Sequence, residues 1–149
     1  DDGWIWGGPR DSIHPTVSYG IRSNHDDARD SEMPNFLGDE VLEKAQIADV
    51  AEYVVSLSGG SKNKDAVKRG AEVFEEQCVA CHGEDGKGLA EMGGPNLTDA
   101  IWLYSKDKDA ITAQISGPKH GVMPAWVDRL SDVEIKQVSL YVHSLGGGQ

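Results

Sequence analysis

Cys78-Val79-Ala80-Cys81-His82 constrains this 149-residue chain more than any other stretch. Two thiols three positions apart, with a His directly after the second, form the attachment pattern of a c-type haem. Each sulfur would form a thioether to a porphyrin vinyl group, and His82 would then be held beneath the ring with a nitrogen aimed at the iron. The apolar ring would also substitute for core that a domain of under 100 residues lacks. Three competing readings are a redox dithiol, half of a zinc site and a disulfide turn. A dithiol has no need of His82. A structural zinc wants two further Cys or His ligands in a compact second cluster, and the chain has only these two Cys.

Charge and compartment narrow the partners. The net charge of −11 argues against nucleic acid or an anionic membrane surface and favours basic or dipolar protein partners. No run of 18 apolar residues occurs, so nothing in this sequence is expected to span a bilayer, and no signal-peptide pattern opens it. Covalent haem attachment of this kind belongs to the bacterial periplasm or its equivalents, and a periplasmic location is expected. Starting at Asp1-Asp2-Gly3-Trp4, the chain reads as a processed or trimmed species.

The chain repeats itself. Leu42, Ile47, Val50, Tyr53, Val54, Ser56, Leu57 and Gly59 recur 88 positions later as Leu130, Ile135, Val138, Tyr141, Val142, Ser144, Leu145 and Gly147. Met33-Pro34-Asn35-Phe36 is echoed 90 positions on by Met123-Pro124-Ala125-Trp126, and Trp4, Ile13 and Val17 are echoed 98 positions on by Trp102, Ile111 and Ile115. Asp1 therefore aligns with Asp99, beyond the haem motif of the second copy. Residues 1–58 read as the distal part of a haem domain without its CxxCH, or as a duplicate that never bound haem. A Gly/Ser/Lys linker over 59–64 is expected to separate them from a complete domain over 65–149. Residues 1–60 carry 12 acids against 4 bases, so the first copy holds most of the negative charge.

Within the second copy, residues 65–77 suit an amphipathic helix running into the haem motif. Residues 130–145 suit a terminal helix opened by the capping box Ser131-Asp132-Val133-Glu134. The expectation is that this terminal helix crosses the first closely at Gly70, bringing Tyr141 onto Phe74; a glycine of no packing consequence is the alternative at position 70.

A sixth iron ligand is then needed. Met123, 41 residues beyond His82 in Gly121-Val122-Met123-Pro124, offers a soft neutral thioether that favours ferrous iron. Met92 is expected to line the proximal edge, His120 to sit exposed at the loop mouth, and His143 to face outward from the terminal helix; His14 and His25 fall in the first copy. A metal-ligating His almost always donates its other ring N–H, and the Pro95 carbonyl is the candidate acceptor for His82. An ordinary turn proline is the alternative.

Several stretches carry a family resemblance. Cys78-Val79-Ala80-Cys81-His82-Gly83, Gly93-Gly94-Pro95-Asn96-Leu97-Thr98-Asp99, Ile101-Trp102-Leu103-Tyr104, His120-Gly121-Val122-Met123-Pro124-Ala125-Trp126 and Tyr141-Val142-His143-Ser144-Leu145 resemble the second cytochrome c domain of the dihaem subunit III of cbb3-type cytochrome c oxidases. Trp4-Ile5-Trp6-Gly7-Gly8 and Ser31-Glu32-Met33-Pro34 resemble its first domain. The resemblance implies an all-α, class I cytochrome c fold, one complete domain preceded by the C-terminal part of another. It implies haem c on Cys78 and Cys81, ligated by His82 and Met123. Met33 would be the matching distal ligand of a first haem, carried by an upstream CxxCH segment.

The family subunit has an N-terminal membrane anchor and two CxxCH motifs, of which this sequence contains one motif and no anchor. The implied function is electron transfer, without catalysis by the subunit itself, from a soluble donor cytochrome c toward the membrane oxidase subunit that reduces oxygen. A freely diffusing periplasmic electron carrier is the first alternative. A haem gas sensor or peroxidase with an open sixth site is the second.

Overall fold

The computed structural model describes residues 3–146. Among them the ordered elements are helical: α1 (Arg10–Tyr19), α2 (Lys44–Leu57), α3 (Lys64–Gln77), α4 (Val79–His82), a 3-10 turn at Ala90–Met92, α5 (Lys108–Ser116) and α6 (Asp132–Ser144). The all-α expectation holds. The only β pairings among the described residues are isolated bridges from Ile21 to Arg29 and to Met123. Gly147, which closes the repeat with Gly59, lies outside the described residues.

Helix boundaries follow local chemistry. Asn63 caps α3 by accepting from the Ala66 N–H at 3.2 Å, and Asp107 caps α5 by accepting from Ala110. α6 opens with the capping box read from its sequence, Ser131 and Glu134 satisfying one another's backbone donors. α2 opens with the same device, built from Glu43 and Gln46.

The chain divides into two units. One takes in the chain up to Glu32, Ala90–Gly93 and the chain from His120; the other is Met33–Leu89 with Gly94–Lys119. In the first, α1 packs on α6 around buried Ile13, Val17 and Ile135, with Trp4, Met123, Leu130 and Val142 against them. In the second, α2 packs on both α3 and α5 around Phe36, Ile47, Val50, Ala51, Val54, Phe74, Ile111 and Ile115.

These clusters correct the expected pairing of Phe74 with Tyr141. Phe74 meets Tyr53 instead, ring centroids 5.0 Å apart and planes at 52°, while Tyr141 is 64% exposed. Tyr53 is the repeat counterpart of Tyr141, so the same kind of contact forms with the helix of the first copy. Gly70 does permit a close crossing, but of α2: a Cβ there would collide with the Asp49 carbonyl and come within 2.9 Å of the Tyr53 Cβ.

Two physical features favour α2. It reaches α3 through a connection of a few residues, so closing the hairpin costs little chain entropy. Its buried face also carries Ala51 where α6 has Ser139, whose hydroxyl must be satisfied by the Ile135 carbonyl. Across the α2–α3 crossing, the Arg69 guanidinium grips the Asp49 carboxylate with two hydrogen bonds of 2.6 and 2.8 Å.

Candidate haem-attachment site

α3 delivers the motif. Cys78 ends α3 and starts α4, its N–H still bonded to the Phe74 carbonyl at 2.9 Å. The Cys78 carbonyl then accepts from Cys81 and His82, so both thiols and the imidazole sit on one helical turn anchored to the core through Phe74. Gly83, with φ 75°, ends that turn in the left-handed region and lets the chain reverse.

The chain then folds back over the turn. Gly88 and Leu89 donate to the carbonyls of His82 and Cys81 at 2.7 and 3.0 Å, and Leu97 donates to Gly86. Gly94 passes so close that a Cβ would collide with the Cys81 carbonyl. This approach brings the Pro95 carbonyl to the His82 ring, which donates from Nδ1 across 3.0 Å. Nε2 of His82 has no hydrogen-bond partner among the described residues. Burial holds the imidazole below its ordinary value, with the Pro95 carbonyl pulling the other way. Neutral imidazole, the metal-ligating form, is therefore favoured.

Both cysteines are free and half-buried. Burial, aided by neighbouring Cys81, pushes the Cys78 thiol up to about 11. Redox dithiols work through a depressed thiol value, so this counts against an exchange-active CxxC. Among the described residues no group of three or more His, Cys, Asp or Glu side chains converges on a metal-sized site.

The methionines separate. Met33 packs against the cluster that Cys78, Val79, Leu97 and Trp102 also join. Met123 packs in the other unit, against the Ile13, Val17 and Ile135 cluster, with its backbone N–H and carbonyl both paired to Ile21 at 2.9 Å. Met92 is exposed on the 3-10 turn. His120 is exposed, as expected. His143 corrects its expectation: it is half-buried, and Nδ1 engages the Gly8 carbonyl at 3.1 Å, because α6 turns this side toward the chain before α1. His25 stacks on Tyr19, and His14 has a buried Nε2 without a hydrogen-bond partner.

Sequence reasoning passed over Gly88 and Gly94. Their signal was the glycine spacing around the Pro95 segment, which a backbone-on-backbone approach requires.

The residues present fit a covalently attached haem. Two unpaired thiols lie on the turn that carries an imidazole, that imidazole is oriented through one nitrogen, and its other nitrogen is unengaged. Among the described residues no helix is long and apolar enough to cross a membrane.

Comparison with known proteins agrees with that chemistry. Residues 65–142 match the family described as cytochrome c oxidase, cbb3-type, subunit III. The chain is 49% identical over 150 residues to the cbb3-type cytochrome c oxidase subunit CcoP of Cereibacter sphaeroides, covering all of this chain and 52% of that protein. It is 50% identical over 149 residues to the subunit FixPc of Rhizobium leguminosarum, covering 99% of this chain and 51% of that one. It is 51% identical over 151 residues to FixP of Bradyrhizobium diazoefficiens, covering all of this chain and 52% of the relative. The chain thus spans about half the length of the curated relatives it matches. A cytochrome c-type family implies covalently bound haem c, which is what the Cys78–His82 turn can hold, and the chain belongs to the cbb3-type cytochrome c oxidase subunit III family.

Proposed function

We propose that this chain is an electron-transfer module that carries haem c on Cys78 and Cys81 with His82 as proximal ligand. It would pass electrons from a soluble donor cytochrome toward the oxygen-reducing subunit of a cbb3-type oxidase on the periplasmic side of the membrane. When bound, haem c supplies a reversible ferric/ferrous couple that makes no bond to substrate.

The residues of the chain do the rest. Cys78 and Cys81 tether, and His82 presents Nε2. The Pro95 carbonyl orients the ring and raises its basicity. Val79, Leu97 and Trp102, which pack on the same apolar cluster as Cys78, would help keep water from the bound group and so lower the reorganisation that accompanies each change of charge. A methionine thioether would complete the coordination: Met123 is the candidate by its spacing from His82, and Met33 is its counterpart in the first copy. The division into residues 1–58, a 59–64 connector and 65–149 belongs to this reading as a division of the sequence repeat. A second haem would require a further CxxCH beyond the present sequence.

The observation that carries the proposal is the oriented His82, bonded to Pro95 at 3.0 Å and flanked by two free thiols. Stopped-flow mixing of the haem-loaded protein tests it. Rapid reduction by a small soluble cytochrome c and reoxidation by cbb3 oxidase depleted of this subunit are expected, with no fast carbon monoxide binding to the reduced form. Fast carbon monoxide binding without transfer to the oxidase would indicate a sensor or peroxidase instead. Transfer between soluble partners alone would indicate a free carrier.

A further inference from the structure

Trp6 of the first copy bears on the loop that follows the haem motif. A Cβ at Gly93 would collide with the Trp6 indole, so the ring lies directly against that backbone, and Gly93 itself stands in the left-handed region at φ 62°. Over the ring sits the Arg29 guanidinium, 5.3 Å from its centroid. Arg29 is pinned in turn to α1: Nε donates to the Thr16 hydroxyl at 2.7 Å and Nη2 to the Ser12 carbonyl at 3.0 Å. Among the described residues no carboxylate forms an ion pair with Arg29, although residues 1–60 carry 12 acids against 4 bases. Its charge is committed to the ring and to α1.

The loop that Trp6 touches is fastened to the haem motif at both ends. Leu89 donates to the Cys81 carbonyl at 3.0 Å, and Gly94 donates to the Leu89 carbonyl at 3.1 Å, so the 3-10 turn between them is a short excursion with a closed neck. A Cβ at Gly88 would collide with the Gly94 carbonyl, and one at Gly94 with the Cys81 carbonyl. Gly94 alone separates Gly93 from Pro95, whose carbonyl accepts from His82 Nδ1 at 3.0 Å.

We propose that Trp6 is a positioning residue for the haem: by bearing on Gly93 it fixes the Gly94-Pro95 segment and so sets the hydrogen bond that orients His82. This rests on the haem reading above and adds to it a contribution of the first copy to the haem of the second. The loop needs such support, because Gly86, Gly88, Gly93 and Gly94 bring no side chains to pack, and glycine loses more conformational freedom on ordering than any other residue. A large ring supplies the missing contact area. A firmer Nδ1 bond makes the imidazole a stronger donor to ferric iron, so loss of the Trp6 contact raises the midpoint potential.

Redox titration of the haem-loaded 149-residue protein, with exchange of the His82 Nδ1 proton followed by NMR of the ferrous form, tests the role. Trp6→Ala is expected to raise the midpoint potential and to speed that exchange, with haem still attached by mass. Trp6→Phe, which keeps a ring against Gly93, is expected to stay near the parent in both. Gly93→Ala forces the same contact apart from the other side and is expected to shift both readings in the direction of Trp6→Ala, so the role is decided even if Trp6→Ala folds poorly. In the double variant the added Cβ no longer meets the indole, and the two shifts should not add. Trp4→Ala, which removes a ring packed on the Ile13, Val17 and Ile135 cluster, controls for general loosening and should leave both readings at the parent values. Unchanged potential and exchange in haem-bearing Trp6→Ala overturn the proposal, as do equal shifts in Trp4→Ala. A parent chain that attaches no haem would instead defeat the electron-transfer reading, a result distinct from a silent Trp6.

Discussion

His82 donates from Nδ1 to the Pro95 carbonyl across 3.0 Å, and the two residues are brought together by the glycine beside Pro95. Gly94 lets the backbone pass against the Cys81 carbonyl, where any side chain would collide. The proximal ligand is therefore oriented by a backbone carbonyl whose position depends on a neighbouring residue having no Cβ.

Gly94→Ala should accordingly cost about 1–3 kcal/mol of stability by forcing two backbones apart. It should also shift the midpoint potential, because the His82 hydrogen bond is displaced. Gly117→Ala, where a Cβ would meet nothing within 4 Å, serves as the control and should stay within about 0.5 kcal/mol. Urea unfolding and a redox titration check both; equal effects from the two substitutions would contradict the role given to Gly94.

The helix pairing makes an asymmetric prediction about two tyrosines that the repeat treats as equivalent. Tyr53→Ala removes the ring packed on Phe74 and should cost on the order of 2–4 kcal/mol. Tyr141→Ala removes an exposed ring and should cost under about 0.5 kcal/mol. The reverse order in denaturant melts would show that α6, not α2, closes on α3.

Glu52 on α2 joins Lys108 on α5 at 2.5 Å and accepts from the Ser61 hydroxyl at 2.5 Å. The Lys108 hydrogen bond first, then Ser61, holds its carboxyl below the ordinary 4.5. A depressed folded value stabilises above the unfolded value near 4.5, and that contribution is lost as pH falls through the lower folded value. Glu52→Gln should therefore destabilise on the order of 1 kcal/mol at neutral pH. The gap from the parent should close as the pH falls below the unfolded value near 4.5 and on through the lower folded value. A gap that persists or widens in acid would contradict this account.

The local pieces were legible in the sequence because local chemistry decides them. The α6 capping box, the helix entering Cys78 and the Pro95 acceptor for His82 each depend on residues close in sequence or on one required hydrogen bond. The helix partner of α3 was not legible in the same way. α2 and α6 carry the same apolar register, Ile47, Val50 and Val54 matching Ile135, Val138 and Val142, so pattern alone cannot choose between them. A short connection and Ala51 in place of Ser139 favour α2, and both effects are too small to read without the packed structure. The burial of His143 was missed for a related reason: its partner, the Gly8 carbonyl, lies 135 residues away.

Thioether attachment makes a prediction that separates the two cysteines from the imidazole. Cys78→Ala or Cys81→Ala should leave a single thioether and a lower yield of haem-bearing protein, while the double substitution should leave none after denaturation. His82→Ala should abolish the low-spin spectrum of any haem that remains attached. Pyridine haemochrome spectra distinguish one thioether from two, and an unchanged spectrum in either single variant would exclude that cysteine.

Intact mass of the denatured protein, expressed with a c-type haem attachment system, decides whether Cys78 and Cys81 carry a covalent haem. The expected mass is that of the 149-residue chain plus one haem, with the addition mapped to the peptide containing Cys78 and Cys81. An unmodified mass, or haem that washes away on denaturation, would contradict it.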